Sequence, residues 1–331
     1  MGDGSSTKGP IQGALTQQTV VVDDFEIDAT AASNAEFEKF ISETKYQTDS
    51  EKFGWSFVLD SHLTQEAAEK ASGSVKGAEH WVAVPEASWK YPRGPGSFLL
   101  DNHPAVHLSY NDAKAYCEWK GGRLPTETEW EYAARGGLAE KQYPWGDSPM
   151  AVQGDGRLKK WKANIWQGAF PKKDEAEDGF SGTCPVDKFE PNAFGLYNTV
   201  GNIWEWTDTK GPLGDKAAVT RILRGASFVD SLDGKFNHKA NINSRMHNSE
   251  DSASSNTGMR CAYGPVSKKG YRYPKEKPRL DQDLLSKIAE EGGIEALQEY
   301  LGSSAKVMRA KDLKEQKERF EQMTEEETDE L

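Results

Sequence analysis

The chain has 331 residues, 36% of them hydrophobic, with ten tryptophans, enough for one large packed domain or two ordinary ones. Its 53 acidic residues against 41 basic ones give a formal net charge of -12. That leaves no basic excess to replace phosphate counterions, which argues against nucleic acid and against an anionic membrane surface as partners. No run approaches the ~20 apolar residues that a membrane-spanning helix needs, and residues 1–13 carry neither the basic nor the apolar region of a secretory leader.

Residues 19–28, TVVVDDFEID, alternate enough to read as a strand entering a domain. Ser33 and Asn34 then mark the start of an amphipathic helix that carries Phe37, Phe40 and Ile41 on one face. Residues 60–80 are rich in Ala, Lys and Ser with little apolar periodicity and read as a surface excursion, part helical; residues 90–95 form a Pro/Gly turn region. Two further helix starts are well marked: Ser109 with Asp112 ahead of a segment that stops at Gly121-Gly122, and Thr126 with Glu129 ahead of one that stops at Gly136-Gly137. Ala113, Tyr116 and Cys117 share a face of the first, Trp130 and Ala134 a face of the second, and both faces read as core.

From Tyr143 to Tyr263 short apolar pieces alternate with Gly, Asn, Asp and Pro, and no long helix is expected. The fold class is therefore α+β with little regular secondary structure, ordered by side-chain networks more than by helices and sheets. After Pro265 the composition turns rich in Lys, Glu and Arg, and Leu284, Ile288, Leu297 and Leu301 recur at helical spacing, so residues 265–331 read as a charged helical C-terminal extension. The last four residues, Thr328-Asp329-Glu330-Leu331, resemble a KDEL-type retrieval signal.

Three cysteines, Cys117, Cys184 and Cys261, exclude a multi-disulfide framework and a four-thiolate zinc site; composition alone reads them as reduced, buried thiols. His103 and His107 flank Pro104, which forbids a regular helical turn between them. They, and Asn237-His238 with His247, read as hydrogen-bonded structural histidines. Metalloprotease, nucleophile-elbow and phosphate-loop patterns do not occur.

FGWSF at 53–57, HPAVHLSYNDAKAYCEW, GGRLPTETEWEYAARGG, YPWGD, ANIWQGAFP, EDGF, GLYNTVGNIWEWT and RGASF occur in the order found in the formylglycine-generating (sulfatase-modifying) family, which the chain resembles over residues 1–264. The resemblance implies an elaborated C-type-lectin-like domain in the endoplasmic reticulum lumen, with a disulfide between Cys117 and Cys261 and Cys184 left free. It also implies two structural calcium sites. One takes the side chains of Asn164 and Asp178 with carbonyls of Ile165 and Phe180; the other takes Asn198 and Glu205 with carbonyls of Gly201 and Ile203. Hard oxygens from loops are what calcium requires. Catalytic members use a thiol pair that holds copper, yet no cysteine lies between Ser227 and Ser244 here, and no Asp, Asn or Ser oxygen reproduces a thiolate's affinity for Cu(I).

The resemblance is therefore to the inactive branch of the family, with no copper expected. Ser227, Asp230, Asn237 and Arg245 are the candidates for a vestigial cleft, Asp230 and Asn237 standing about where the thiols belong; Arg245 reads either as a bidentate holder of a peptide carbonyl or carboxylate or as one half of an internal salt bridge. The implied partners are sulfatases or the active formylglycine-generating paralogue, in a homo- or heterodimer. Two alternatives stay open: a metal-dependent oxidoreductase with a non-thiol iron site, and a carbohydrate-binding module in which Trp145, Trp161 and Trp166 stack on sugars.

Overall fold

The structure is a computed structural model and describes residues 22–153, 158–213, 219–235 and 237–266. In chain order the elements are β1 (Glu26–Ile27), α1 (Asn34–Thr44), α2 (Asp49–Phe53), β2 (Trp55–Leu59), α3 (Gln65–Lys70), β3 (Gly73–Val75), β4 (Ala78–Pro85), α4 (Tyr110–Trp119) and α5 (Glu127–Arg135). Then come β5 (Met150–Gln153), β6 (Leu158–Trp161), β7 (Gly168–Ala169), β8 (Lys173–Asp174), β9 (Trp204–Lys210), β10 (Thr220–Arg224), β11 (Arg245–Ser249), β12 (Thr257–Gly258) and β13 (Ala262–Tyr263). The mixture of helices and short strands is the expected α+β class. The expected extension over 265–331 lies outside the described residues beyond Val266.

Local chemistry fixes the helix starts. Ser33 with Glu36, Thr48 with Glu51, Ser109 with Asp112 and Thr126 with Glu129 each form a reciprocal capping box at the head of α1, α2, α4 and α5. Each cap satisfies amide donors that the helix cannot, an effect of about 1 kcal/mol. α5 ends where Gly136 takes the left-handed conformation, φ 56°.

The apolar faces of α1, α4 and α5 meet over one core that includes Phe37, Phe40, Trp89, Tyr116, Trp130, Trp204, Trp206 and Met259. On it lies a four-stranded sheet in the order β11-β10-β9-β12, antiparallel except for β12 beside β9. A second sheet, β2-β4-β3, is antiparallel throughout. The sequence reading placed β3 and the start of the central strand β4 in a surface excursion. Its helical part is α3, but β3 is largely exposed and most of β4 is half-buried, so neither shows the alternation that betrays a strand. The strand expected over 19–28 is confined, among the described residues, to Glu26 and Ile27, because β13 offers only two residues to pair with.

Cys117 in α4 is bonded to Cys261 just before β13, across 144 residues, at a Cα separation of 5.4 Å. Closing so long a loop restricts the unfolded chain by roughly 5 kcal/mol in the chain-entropy model. Cys184 is a buried free thiol, and burial pushes it up to about 12.

Buried ions bind the layers together. Glu127, fully buried at the start of α5, accepts from Arg245 of β11 (2.5 and 3.1 Å) and from Arg224 of β10 (3.2 Å). Arg224 reaches Glu131 as well (2.8 Å), and Arg135 closes on the same carboxylate. Arg260, also fully buried, grips Glu205 of β9 through Nε and Nη2 (2.6 and 2.8 Å) and donates to the carbonyls of Asp28, Ala29 and Tyr197. Charges this deep persist only when paired. No helix among the described residues is long and apolar enough to cross a membrane.

Candidate functional site

β10 ends at Arg224, and the next two residues turn through positive φ, Gly225 at 98° and Ala226 at 62°. A side chain at Gly225 would lie 3.1 Å from the Trp130 ring, so the turn needs glycine there. The turn delivers Ser227 into the interior. Its amide and hydroxyl both donate to Asp230 Oδ2, at 2.7 and 2.8 Å, and its oxygen accepts from Asn256 Nδ2 at 2.9 Å. The other carboxylate oxygen, Asp230 Oδ1, accepts from the amide of His238 (3.1 Å) and faces its ring Nδ1 at 3.2 Å.

The ring of His238 meets Trp204 edge to face, centroids 4.9 Å apart, and its side chain is 31% exposed. Burial works to lower its pKa, but the hydrogen bond and charge of Asp230 raise it above the usual histidine value. Asn237 belongs to the same loop: its Nδ2 donates to the Val229 carbonyl (2.5 Å), and its Oδ1 lies 2.8 Å from the Ser231 hydroxyl.

Ser227, Asp230 and Asn237 are thus brought together. Arg245 is not: its guanidinium turns inward to Glu127, the internal salt bridge that its sequence reading weighed against a place in the cleft. A cation in the interior takes the carboxylate that compensates it, and Glu127 lies 118 residues away in sequence, where no local pattern points to it. The sequence reading also passed over His238 as a partner of Asp230. Its signal was an imidazole directly after Asn237 in a polar loop.

Asn256 ties this cluster to an open cavity. Ser254 Oγ donates to Asn256 Oδ1 (2.8 Å), and the amide of Ser255 donates to the Phe57 carbonyl (2.9 Å). The cavity, of 280 Å³, is lined by Phe53, Trp55, Phe57, Ser249, Asp251 and Ser252, among others. Trp55 and Phe57, two residues apart on β2, stand on the same side of the strand, edge to face at 4.9 Å.

The calcium candidates differ in what they offer. At the first, Asn164 Oδ1 is buried with no hydrogen-bond partner. Asp178 accepts from the amides of Phe180 (2.9 Å) and Ile165 (3.0 Å) and from Gln167 Nε2 (2.7 Å), and burial raises its pKa. An orphaned amide oxygen beside a half-buried carboxylate and loop carbonyls is a donor set that suits a hard cation. At the second, Asn198 (φ 50°) donates to the carbonyls of Pro185 and Val186, which leaves its Oδ1 for a ligand. The Gly201 carbonyl accepts from the amide of Ile203 (2.9 Å). Glu205 there is already compensated by Arg260 and also accepts from Trp130 Nε1 at 2.6 Å, so a cation would join that guanidinium rather than replace it.

The remaining candidates are structural. His107 is fully buried, with Nδ1 2.8 Å from Ser56 Oγ and Nε2 3.0 Å from the Pro92 carbonyl. His103 Nδ1 lies 2.9 Å from Thr183 Oγ1. Among the described residues no three His, Cys, Asp or Glu converge as metal ligands. Trp166 packs in the interior against Phe170, Trp145 stacks on Tyr143, and Trp161 donates to Glu177.

Comparison with known proteins agrees with the motif reading. A bovine protein (Bos taurus) named inactive C-alpha-formylglycine-generating enzyme 2 is 45% identical over 265 residues, covering 79% of this chain and 82% of its own length. The mouse (Mus musculus) formylglycine-generating enzyme is 43% identical over 263 residues, covering 76% of this chain and 68% of its own. Among solved structures, PvdO from Pseudomonas aeruginosa superposes with a TM-score of 0.52 at 21% identity, covering 79% of this chain and 89% of that one, which speaks for the fold alone. Residues 2–264 match the family described as sulfatase-modifying factor enzyme 1-like domain, and the chain belongs to that family.

Proposed function

We propose that this protein is a non-catalytic member of its family that binds sulfatases, or the active formylglycine-generating paralogue, in the endoplasmic reticulum lumen and modulates sulfatase maturation without turnover. The observation that carries the reading is the hydrogen-bonded set Ser227–Asp230–His238: oxygen and imidazole groups stand in the stretch where the resemblance calls for a thiol pair, and no cysteine lies between Ser227 and Ser244. The relatives named inactive support it. The Cys117–Cys261 bond supports an oxidising compartment. The 280 Å³ cavity between β2 and the residues that follow β11 offers a side chain of a bound peptide a place to rest.

Calcium belongs to the reading as a structural ion at both clusters, held at the first by Asn164, Asp178 and the carbonyls of Ile165 and Phe180, and at the second by Asn198, Glu205 and the carbonyls of Gly201 and Ile203. It would supply loop rigidity and no chemistry.

The test is direct. Incubated with a sulfatase-derived cysteine peptide, copper and oxygen, the purified protein binds the peptide, and mass spectrometry finds no aldehyde. Aldehyde formed with multiple turnovers would overturn the non-catalytic reading, and failure to retain either a sulfatase peptide or the active paralogue would overturn the binding one.

A further inference from the structure

We propose that His238, oriented by Asp230, is the group that receives the thiol of a cysteine-containing peptide in this cleft. The inference deepens the binding reading above and rests on it. Asp230 is 1% exposed and spends both oxygens on fixed donors: Oδ2 on the amide and hydroxyl of Ser227, Oδ1 on the amide and ring of His238. A carboxylate on one ring nitrogen makes that nitrogen the donor and presents the other as the acceptor. Trp204 packs against the ring. Nε2 has no hydrogen-bond partner among the described residues, and the side chain is 31% exposed while Nδ1 is engaged by buried Asp230. The imidazole is therefore fixed in orientation and open at its basic atom.

The chemistry that suits such an atom is a soft acid close to neutrality. A cysteine S–H brought to Nε2 passes its proton to the ring, leaving a thiolate beside an imidazolium whose Nδ1–H stays on Asp230. One S–H bond breaks and one N–H bond forms; no electrons leave, so no oxidant is needed and the step reverses on release. A neighbouring imidazolium favours thiolate, and Asp230 favours imidazolium. Serine in the same peptide gains nothing comparable, because its hydroxyl is far less acidic. The protein's own Cys184 does not compete, being buried with its thiol pushed up to about 12. Asp230 is on this view a positioning residue and His238 the contact.

The experiment uses the full chain in oxygen-free buffer with three versions of one sulfatase-derived peptide, carrying cysteine, serine or S-methylcysteine at the same place. Calorimetry is expected to give about tenfold tighter binding for cysteine than for either analogue, the weight of one charge-assisted hydrogen bond. Ring-nitrogen NMR on the unaltered protein should move His238 toward imidazolium with the cysteine peptide alone. In His238→Gln the preference for cysteine disappears, and in Asp230→Asn the NMR response weakens. Equal affinity for all three peptides with a silent His238 ring overturns this proposal and leaves peptide binding standing. Binding of none overturns both.

Discussion

His107 sits in left-handed backbone (φ 58°) with no exposed surface, and both ring nitrogens have partners. Nε2 donates to the Pro92 carbonyl, so Nδ1 accepts from Ser56 and the ring is neutral; burial lowers its pKa to about 4. The sign follows from linkage. The unfolded chain takes up a proton near the ordinary histidine value of 6.5, the folded chain only near 4, so stability falls as pH drops through that window. His62 adds to the same trend, lowered to about 4 by burial and by Arg93. Chemical denaturation between pH 7 and pH 4 should show this loss, and His107→Asn, which tolerates positive φ, should flatten it while lowering overall stability.

Glu127 offers a sharper residue-scale prediction. Glu127→Ala removes the buried carboxylate that Arg245 and Arg224 share, and stability should fall by about 3–5 kcal/mol, read from the denaturation midpoint. Peptide binding by the protein that remains folded should change little, since neither arginine belongs to the cleft.

Among the elements, what was legible was local. Ser33, Ser109 and Thr126 announced their helices because a cap and its reciprocal acid lie three residues apart, within reach of sequence. Phe37, Phe40, Tyr116 and Trp130 announced their core faces by helical spacing. β3 and β4 went unannounced, since a largely exposed strand and one half-buried on both faces have no alternation to read. The turn at Gly225 and Ala226, which buries Ser227, was equally silent: its cause is the Trp130 ring, which lies on another element.

The calcium loops belong to this scale. With the Asn164 oxygen buried and unsatisfied, added calcium should raise the melting temperature, chelator should lower it, and Asp178→Asn with Asn164→Ala should erase the difference at the first site. Differential scanning fluorimetry with metal analysis checks this. A melting curve indifferent to calcium would remove the ion from the account.

For the whole molecule, the order of motifs gave the family, but it did not place Arg245. Candidate cleft residues were read as a group because they cluster in sequence between 227 and 245, whereas the fold sorts them between the loop of Ser227, Asp230 and Asn237 and an internal ion network. Removing the long-range covalent link tests how far the rest suffices. Cys117→Ser with Cys261→Ser should lower stability by roughly 5 kcal/mol without altering the order of affinities among the three peptides.

β1 pairs with β13, Glu26 opposite Tyr263 and Ile27 opposite Ala262, so the described domain begins and finishes on the same two-stranded ribbon. Its polypeptide is therefore nearly a closed ring. A circularly permuted gene, with Gly264 spliced to Asp24 through a few glycines and new ends cut at the Lys76-Gly77 hairpin, should still yield folded, calcium-responsive protein.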